Sequence, residues 1–293
     1  MGIVAEAREA LRYRELLRNL VIRELRVRYK NSVLGVVWSL ANPIVRAFIL
    51  WAVFSYFVPI SKVHNYSAYV LAAFFPWTYF LTGVLDAGEC VSKQMPLIKK
   101  VYFPRELLPL ATTIANLLHF GLSLVVLFAY VTFLYAWDWH SGHPTLPPRA
   151  LLLFPVLVFM ETLLIGGIAL FISAMNVFFE DVKFLAQVVL DLLFYGVPII
   201  YFIEQVQHAP RVPAFVYTLF MLNPMTVILA GYRQCLLPPQ RSVPLPGATG
   251  AFITVNTGVP LPFLLIALAV CVGVAIGGYA YFNKHKWEFV ERL

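Results

Sequence analysis

Residues 107–136 read LLPLATTIANLLHFGLSLVVLFAYVTFLYA, thirty positions without one Asp, Glu, Lys or Arg. At 1.5 Å of rise per helical residue, about 20 apolar residues cross a hydrocarbon layer of ~30 Å. Five more long apolar segments, four of them holding one charged residue each, lie at 34–58, 68–88, 150–176, 184–203 and 259–282. The whole chain of 293 residues is 60% hydrophobic and 13% charged, with mean hydropathy +0.78. A soluble domain carries about 25% charge. The composition therefore excludes both a soluble enzyme and a disordered chain, and predicts an all-α integral membrane protein with six transmembrane helices.

The charges give this bundle an orientation. Residues 1–32 carry eight basic residues, among them Arg23, Arg26, Arg28 and Lys30, while Tyr13, Leu17, Leu20, Val21 and Leu25 recur at helical spacing. That pattern predicts an amphipathic helix on a membrane surface, with a solvated charged helix as the alternative. It has no apolar core of the kind a cleavable signal peptide needs. With six spans and the N-terminus inside, sixteen Lys and Arg fall on the inner side and five on the outer. The positive-inside rule then places both termini in the cytoplasm. The expected domains are a cytoplasmic interface helix (1–32), a transmembrane domain (33–283) and a cytoplasmic tail (284–293).

Residues 214–237 are also apolar but are broken at Asn223-Pro224 and carry Arg233. Prolines at 210, 213, 238, 239, 244 and 246 surround the segment. Proline removes a backbone donor and disfavours helix at the residue before it. The prediction is an outer re-entrant helical pair between spans five and six, with a seventh full span as the alternative.

Much chemistry is missing from the sequence. There is no GxxxxGK[ST] for ATP, no GxSxG and no HExxH. Cys90, Cys235 and Cys271 are far apart and read as packing residues. His140 and His143 make a weak metal pair in a loop, and no metal is expected. The excess of basic residues is explained by the inner face of a membrane rather than by nucleic acid. Glu161 is the most deeply embedded carboxylate; it is either a structural hydrogen-bond partner or part of a substrate path.

Four stretches carry a family resemblance: RELRVRYKNSVLGVVWSLANP (23–43), LIKKVYFPRELLPL (97–110), SAMNVFFEDVK (173–183) and LNPMT (222–226), the last followed by Tyr232-Arg233. Together they resemble ABC-2 type permeases that export polysaccharides such as O-antigen, capsule and teichoic acid. Glu180 departs from the pattern, where a basic residue is common. The resemblance implies a non-enzymatic plasma-membrane (cell inner membrane) subunit acting as a homodimer with two separate P-loop ATPase subunits. The cargo would be a lipid-linked glycan moving through surrounding membrane lipid. ATP and magnesium would be bound by the partner chains and no cofactor by this one. An ABC-2 exporter of a small lipid or drug is the alternative.

The resemblance assigns ATPase docking to Arg26, Arg28, Tyr29, Lys99, Lys100, Tyr102, Phe103, Pro104 and Arg105. Tyr102 and Phe103 would form an apolar knob stiffened by Pro104, of the sort that anchors an interface. Sugar rings stack on aromatic faces, so Trp38, Trp51, Phe74, Trp77 and Phe80, with Glu161, are candidates for a substrate channel; lipid packing is the competing reading of each aromatic. Asn223, Pro224, Tyr232 and Arg233 would form an outer gate. Arg233 is expected to snorkel, to form a salt bridge or to meet a phosphate.

Overall fold

A computed structural model describes residues 13–29, 41, 44–46, 48–49, 52–53, 63–100, 103–140, 149–210, 212–245 and 251–290. Most of the first expected span therefore lies outside the described residues, as do Trp38, Trp51 and Tyr102.

In hydrocarbon every backbone N–H and C=O must be satisfied within the protein, so long apolar runs fold as helices. Among the described residues four are long and apolar enough to cross: α2 (Tyr66–Lys93), α4 (Leu107–His140), α5 (Phe154–Phe178, led in by a 3-10 turn, Arg149–Leu153) and α10 (Leu261–His285). They coincide with the runs at 68–88, 107–136, 150–176 and 259–282. Helix α1 (Arg14–Tyr29) lies against α4, and the short α3 (Met95–Ile98) follows α2.

The fifth expected span, 184–203, is cut short. Helix α6 (Val182–Gly196) has 15 residues, about 22 Å of rise. Pro198 follows, and the residue before a proline is pushed out of the helical region; Val197 is extended at φ −119°, ψ 150°. A one-turn helix, α7 (Ile203–His208), comes next. The broken segment is two helices, α8 (Ala214–Leu222) and α9 (Pro224–Leu236), bent by 88°. Asn223 supplies the hinge, its Oδ1 accepting from Met225 N at 3.0 Å, with Pro224 at the first helical position, where a missing N–H is harmless.

The all-helical expectation needs one correction. β1 (Gln240–Pro244) and β2 (Phe252–Val255) form an antiparallel pair. The prolines flanking and ending β1 exclude helix there, and a two-stranded ribbon tolerates Pro at its edge.

Helix α5 packs along both α2 and α10, and α4 packs along α2. The crossing of α5 and α10 brings backbones into contact. A methyl group on Gly278 would overlap the Gly167 carbonyl, and one on Gly167 would lie 2.7 Å from Ala275 Cα. Small residues at such crossings are what let helices associate without a hydrophobic driving force. Around this frame are two apolar clusters. One fills the middle and the hairpin end. The other joins Leu20 and Val21 of α1 to Cys90, Ile98, Phe103, Phe282 and Phe289 at what we term the terminal end.

Candidate functional site

At the terminal end, Arg28 reaches from α1 to two spans. Its Nη2 lies 2.6 Å from Asp86 Oδ2 and donates to Asn116 Oδ1 at 2.8 Å. Gln94 Nε2 donates to Glu24 Oε1 at 2.7 Å, so α1 is tied to both spans and to the start of the turn between them. Arg26 is exposed in the last turn of α1, which Tyr29 closes. Lys99 and Lys100 are exposed after α3. Phe103, expected in a projecting knob, is instead buried in the chain's own cluster with Ile98 and Phe289. Pro104 and Arg105 are half-buried.

Arg105 is held by the C-terminal segment, which sequence reasoning did not connect to this loop. Its Nη1 donates to the Lys286 carbonyl, and its guanidinium sits 5.8 Å from the Trp287 ring and 5.9 Å from that of Phe289. Lys286 Nζ lies 3.7 Å from Glu106 Oε1. Among the described residues, Trp287 and Phe179 are aromatics that face outward nearby.

Three of the proposed channel residues are core. Trp77 and Phe80 are buried, their rings 5.6 Å apart, and Trp77 meets Phe194 edge-on at 5.8 Å. Glu161 is wholly buried and its Oε2 accepts from Tyr232 OH at 2.8 Å. That tyrosine ring packs edge-on against Phe154 and Phe120 at 5.1 and 6.4 Å. Phe74 is half-buried, with the Arg46 guanidinium 5.8 Å from its ring.

At the hairpin end, Arg233 neither snorkels nor meets a carboxylate directly. It is 2% exposed. Nε donates to Tyr69 O at 2.9 Å, Nη1 to Tyr201 O at 2.8 Å and Nη2 to Ile199 O. The Phe202 ring covers it at 5.1 Å. The three carbonyls come from span α2 and from the unwound stretch after α6. A planar fork of donors suits such scattered acceptors as a lysine does not. Asn256, in the left-handed region at φ 58°, donates through Nδ2 to Leu237 O at 2.8 Å. Glu204 Oε1 accepts from Thr257 N and Oγ1 at 2.8 and 3.1 Å. The Asn-Thr-Gly turn at 256–258 was the available signal for these contacts. Among the described residues no group of three or more His, Cys, Asp or Glu side chains is placed to hold a metal.

The site is thus two anchored ends and a tightly packed middle. The sequence profile of the ABC-2 type transporter family matches residues 15–237. An O-antigen export system permease protein RfbA of Myxococcus xanthus is 29% identical over 287 residues, spanning 98% of both chains. The protein of the same name from Klebsiella pneumoniae is 26% identical over 287 residues, spanning 95% of both. With the family profile covering most of its length and apolar helices able to span a bilayer several times, the chain is a multi-pass membrane protein and belongs to the ABC-2 type transporter family.

Proposed function

We propose that this chain is the permease subunit of an ABC transporter that exports a lipid-linked polysaccharide across the plasma membrane. The observation that carries the reading is end-to-end similarity to relatives named as O-antigen export permeases, at 95–98% coverage of each chain. In this reading two copies and two ATPase subunits form the working unit. On the same reading the chain has six spans, α6 and the unwound stretch after it serving as the fifth, with an interface helix at residues 1–32 and both termini in the cytoplasm, so the terminal end faces the ATPase and the hairpin end faces outward.

The geometry supports a division of labour. Lys99, Lys100 and Arg26 offer charge at the terminal end, and the Arg105–Trp287 contact stiffens the loop behind them. Movement imposed there reaches two spans through Arg28, since Asp86 is on α2 and Asn116 on α4. At the other end the Asn223 hinge separates an anchored helix from an exposed one, which suits an outer gate. ATP hydrolysis belongs to the partner, because this sequence contains no GxxxxGK[ST].

Co-expression with the ATPase tests the reading. A P-loop ATPase should co-purify, and in sealed vesicles glycan should cross only with ATP and with both proteins present. Sustained hydrolysis by the permease alone, or transport of a drug-like cation in place of glycan, would overturn it.

A further inference from the structure

Polar residues within the apolar cores of α2 and α4 are placed at helical spacing. Thr78 and Thr82 are one turn apart on α2; Asn116, His119 and Ser123 follow i, i+3, i+7 on α4. Each set therefore shares a face. The structure turns those faces toward one another around a cavity of about 140 Å³, completed by Arg46 and the rings of Phe74, Phe75, Tyr79 and Phe120. Asn116 and Ser123 lie about 14 and 24 Å along α4 from its start, so the cavity sits at mid-depth. Polar groups there are costly unless they are hydrogen-bonded within the protein or line a path or a site.

The wall has a specific chemistry. The Thr78 and Thr82 hydroxyls donate to the carbonyls of Phe74 and Thr78 at 2.9 and 2.8 Å. That uses their protons and leaves oxygen lone pairs as acceptors for hydroxyl donors. Tyr79 and Phe120 are stacked on one another at 4.6 Å and 4°, which fixes the aromatic side of the cavity. Arg46 brings a guanidinium, and the described residues that line the cavity include no carboxylate. The floor is connected to the terminal end, because Asn116 Oδ1 is the atom that accepts from Arg28. Trp77 and Phe80, on the same span, face the core instead.

We propose that this cavity binds an acidic sugar: an oxyanion on Arg46, with the hydroxyls beside it on the threonine oxygens and the ring against the aromatic wall. The volume fits one such unit, not an oligosaccharide. The oxyanion has two sources, a carboxylate or phosphate on the glycan itself or the phosphate that joins the glycan to its lipid carrier. The inference rests on the reading of the chain as a glycan-export permease and names the class of substrate group it holds during passage.

Binding to the permease–ATPase complex in nanodiscs tests it with three probes: oligogalacturonate, a malto-oligosaccharide of equal length, and polyprenyl diphosphate. At least one anionic probe should bind tenfold or more tightly than the neutral one, equivalent to about 1.4 kcal/mol. Arg46→Gln should erase that preference and Arg46→Lys should retain part of it. Thr78→Val with Thr82→Val should weaken oligogalacturonate several-fold while keeping the dependence on Arg46. Preference for oligogalacturonate assigns the oxyanion to the glycan, and preference for polyprenyl diphosphate assigns it to the carrier. Equal binding of all three probes, or an anion preference that survives Arg46→Gln, overturns the site. Wild-type export together with either of those results would break this inference alone, whereas a complex that exports no glycan would break the functional reading itself.

Discussion

Helices α8 and α9 are adjacent in the chain and opposite in environment. On α9, Met225 through Leu229, Gly231 through Arg233, Cys235 and Leu236 are all buried. On α8 only Met221 is, and Phe215 and Leu219 are 68% and 61% exposed. Hydrophobicity does not separate them, since α8 is the more apolar of the two. What separates them is polar ties: Arg233 to three carbonyls of its own chain and Tyr232 to Glu161, with Gln234 Oε1 accepting from Val259 N at 3.0 Å. Inside a bilayer apolar side chains are indifferent between lipid and protein, so directional bonds decide which helix is fixed. The anchored half is a frame, and an outer gate built on this pair would move α8 about Asn223.

The harshest test of that contrast removes the anchor. Arg233→Leu strands three buried carbonyls and should destabilise the protein by about 3–5 kcal/mol, read as lost yield and a lower melting temperature in detergent. Arg233→Lys, lacking the planar fork, should recover only part of it. Tyr232→Phe should cost about 1–3 kcal/mol by leaving Glu161 without its donor. Adding Glu161→Leu should restore some of the loss, and strict additivity of the two changes would argue against a direct bond. On the mobile half, Leu219→Cys cross-linked between two copies should lower export at least tenfold while the assembly stays intact. Export at the normal rate through the cross-linked pair would mean that α8 is not the moving part. Smallest of all, Phe215→Ala should change stability by less than about 0.5 kcal/mol, and a large loss there would erase the distinction between the halves.

Much of this architecture can be read from residues 68–88, 107–136, 150–176 and 259–282, because the ~30 Å layer imposes a length that composition reveals. The Asn223 hinge was readable too, since Pro224 states its own backbone rule. The early end of α6 was less so: Pro198 sits inside an apolar run, and its effect depends on whether neighbours re-satisfy the freed carbonyls. Here Arg233 does so, from 35 residues downstream of Pro198. Partner choice of that kind has no local signature. The aromatics show the same limit. A period of 3.6 says that Trp77 and Thr78 point in different directions, but not which of them faces the core. The basic, proline-bound loop around Phe103 predicts a projecting knob, and Phe103 is buried because α1 and the C-terminal segment, both remote in sequence, close over it.

The contact between Gly167 and Gly278 bears on how the protein is made. The two glycines are about 111 residues apart, so at ribosomal speeds of ~5–20 residues per second the second emerges roughly 6–22 s after the first. Throughout that interval the groove on α5 has no occupant, and Phe289, which completes the cluster at the terminal end, does not yet exist. A nascent chain can insert its early helices one by one, yet it cannot lock until its last span is delivered. Chaperones and proteases of the membrane would meet an open bundle for that whole time, and any truncation before Gly278 would leave it open permanently.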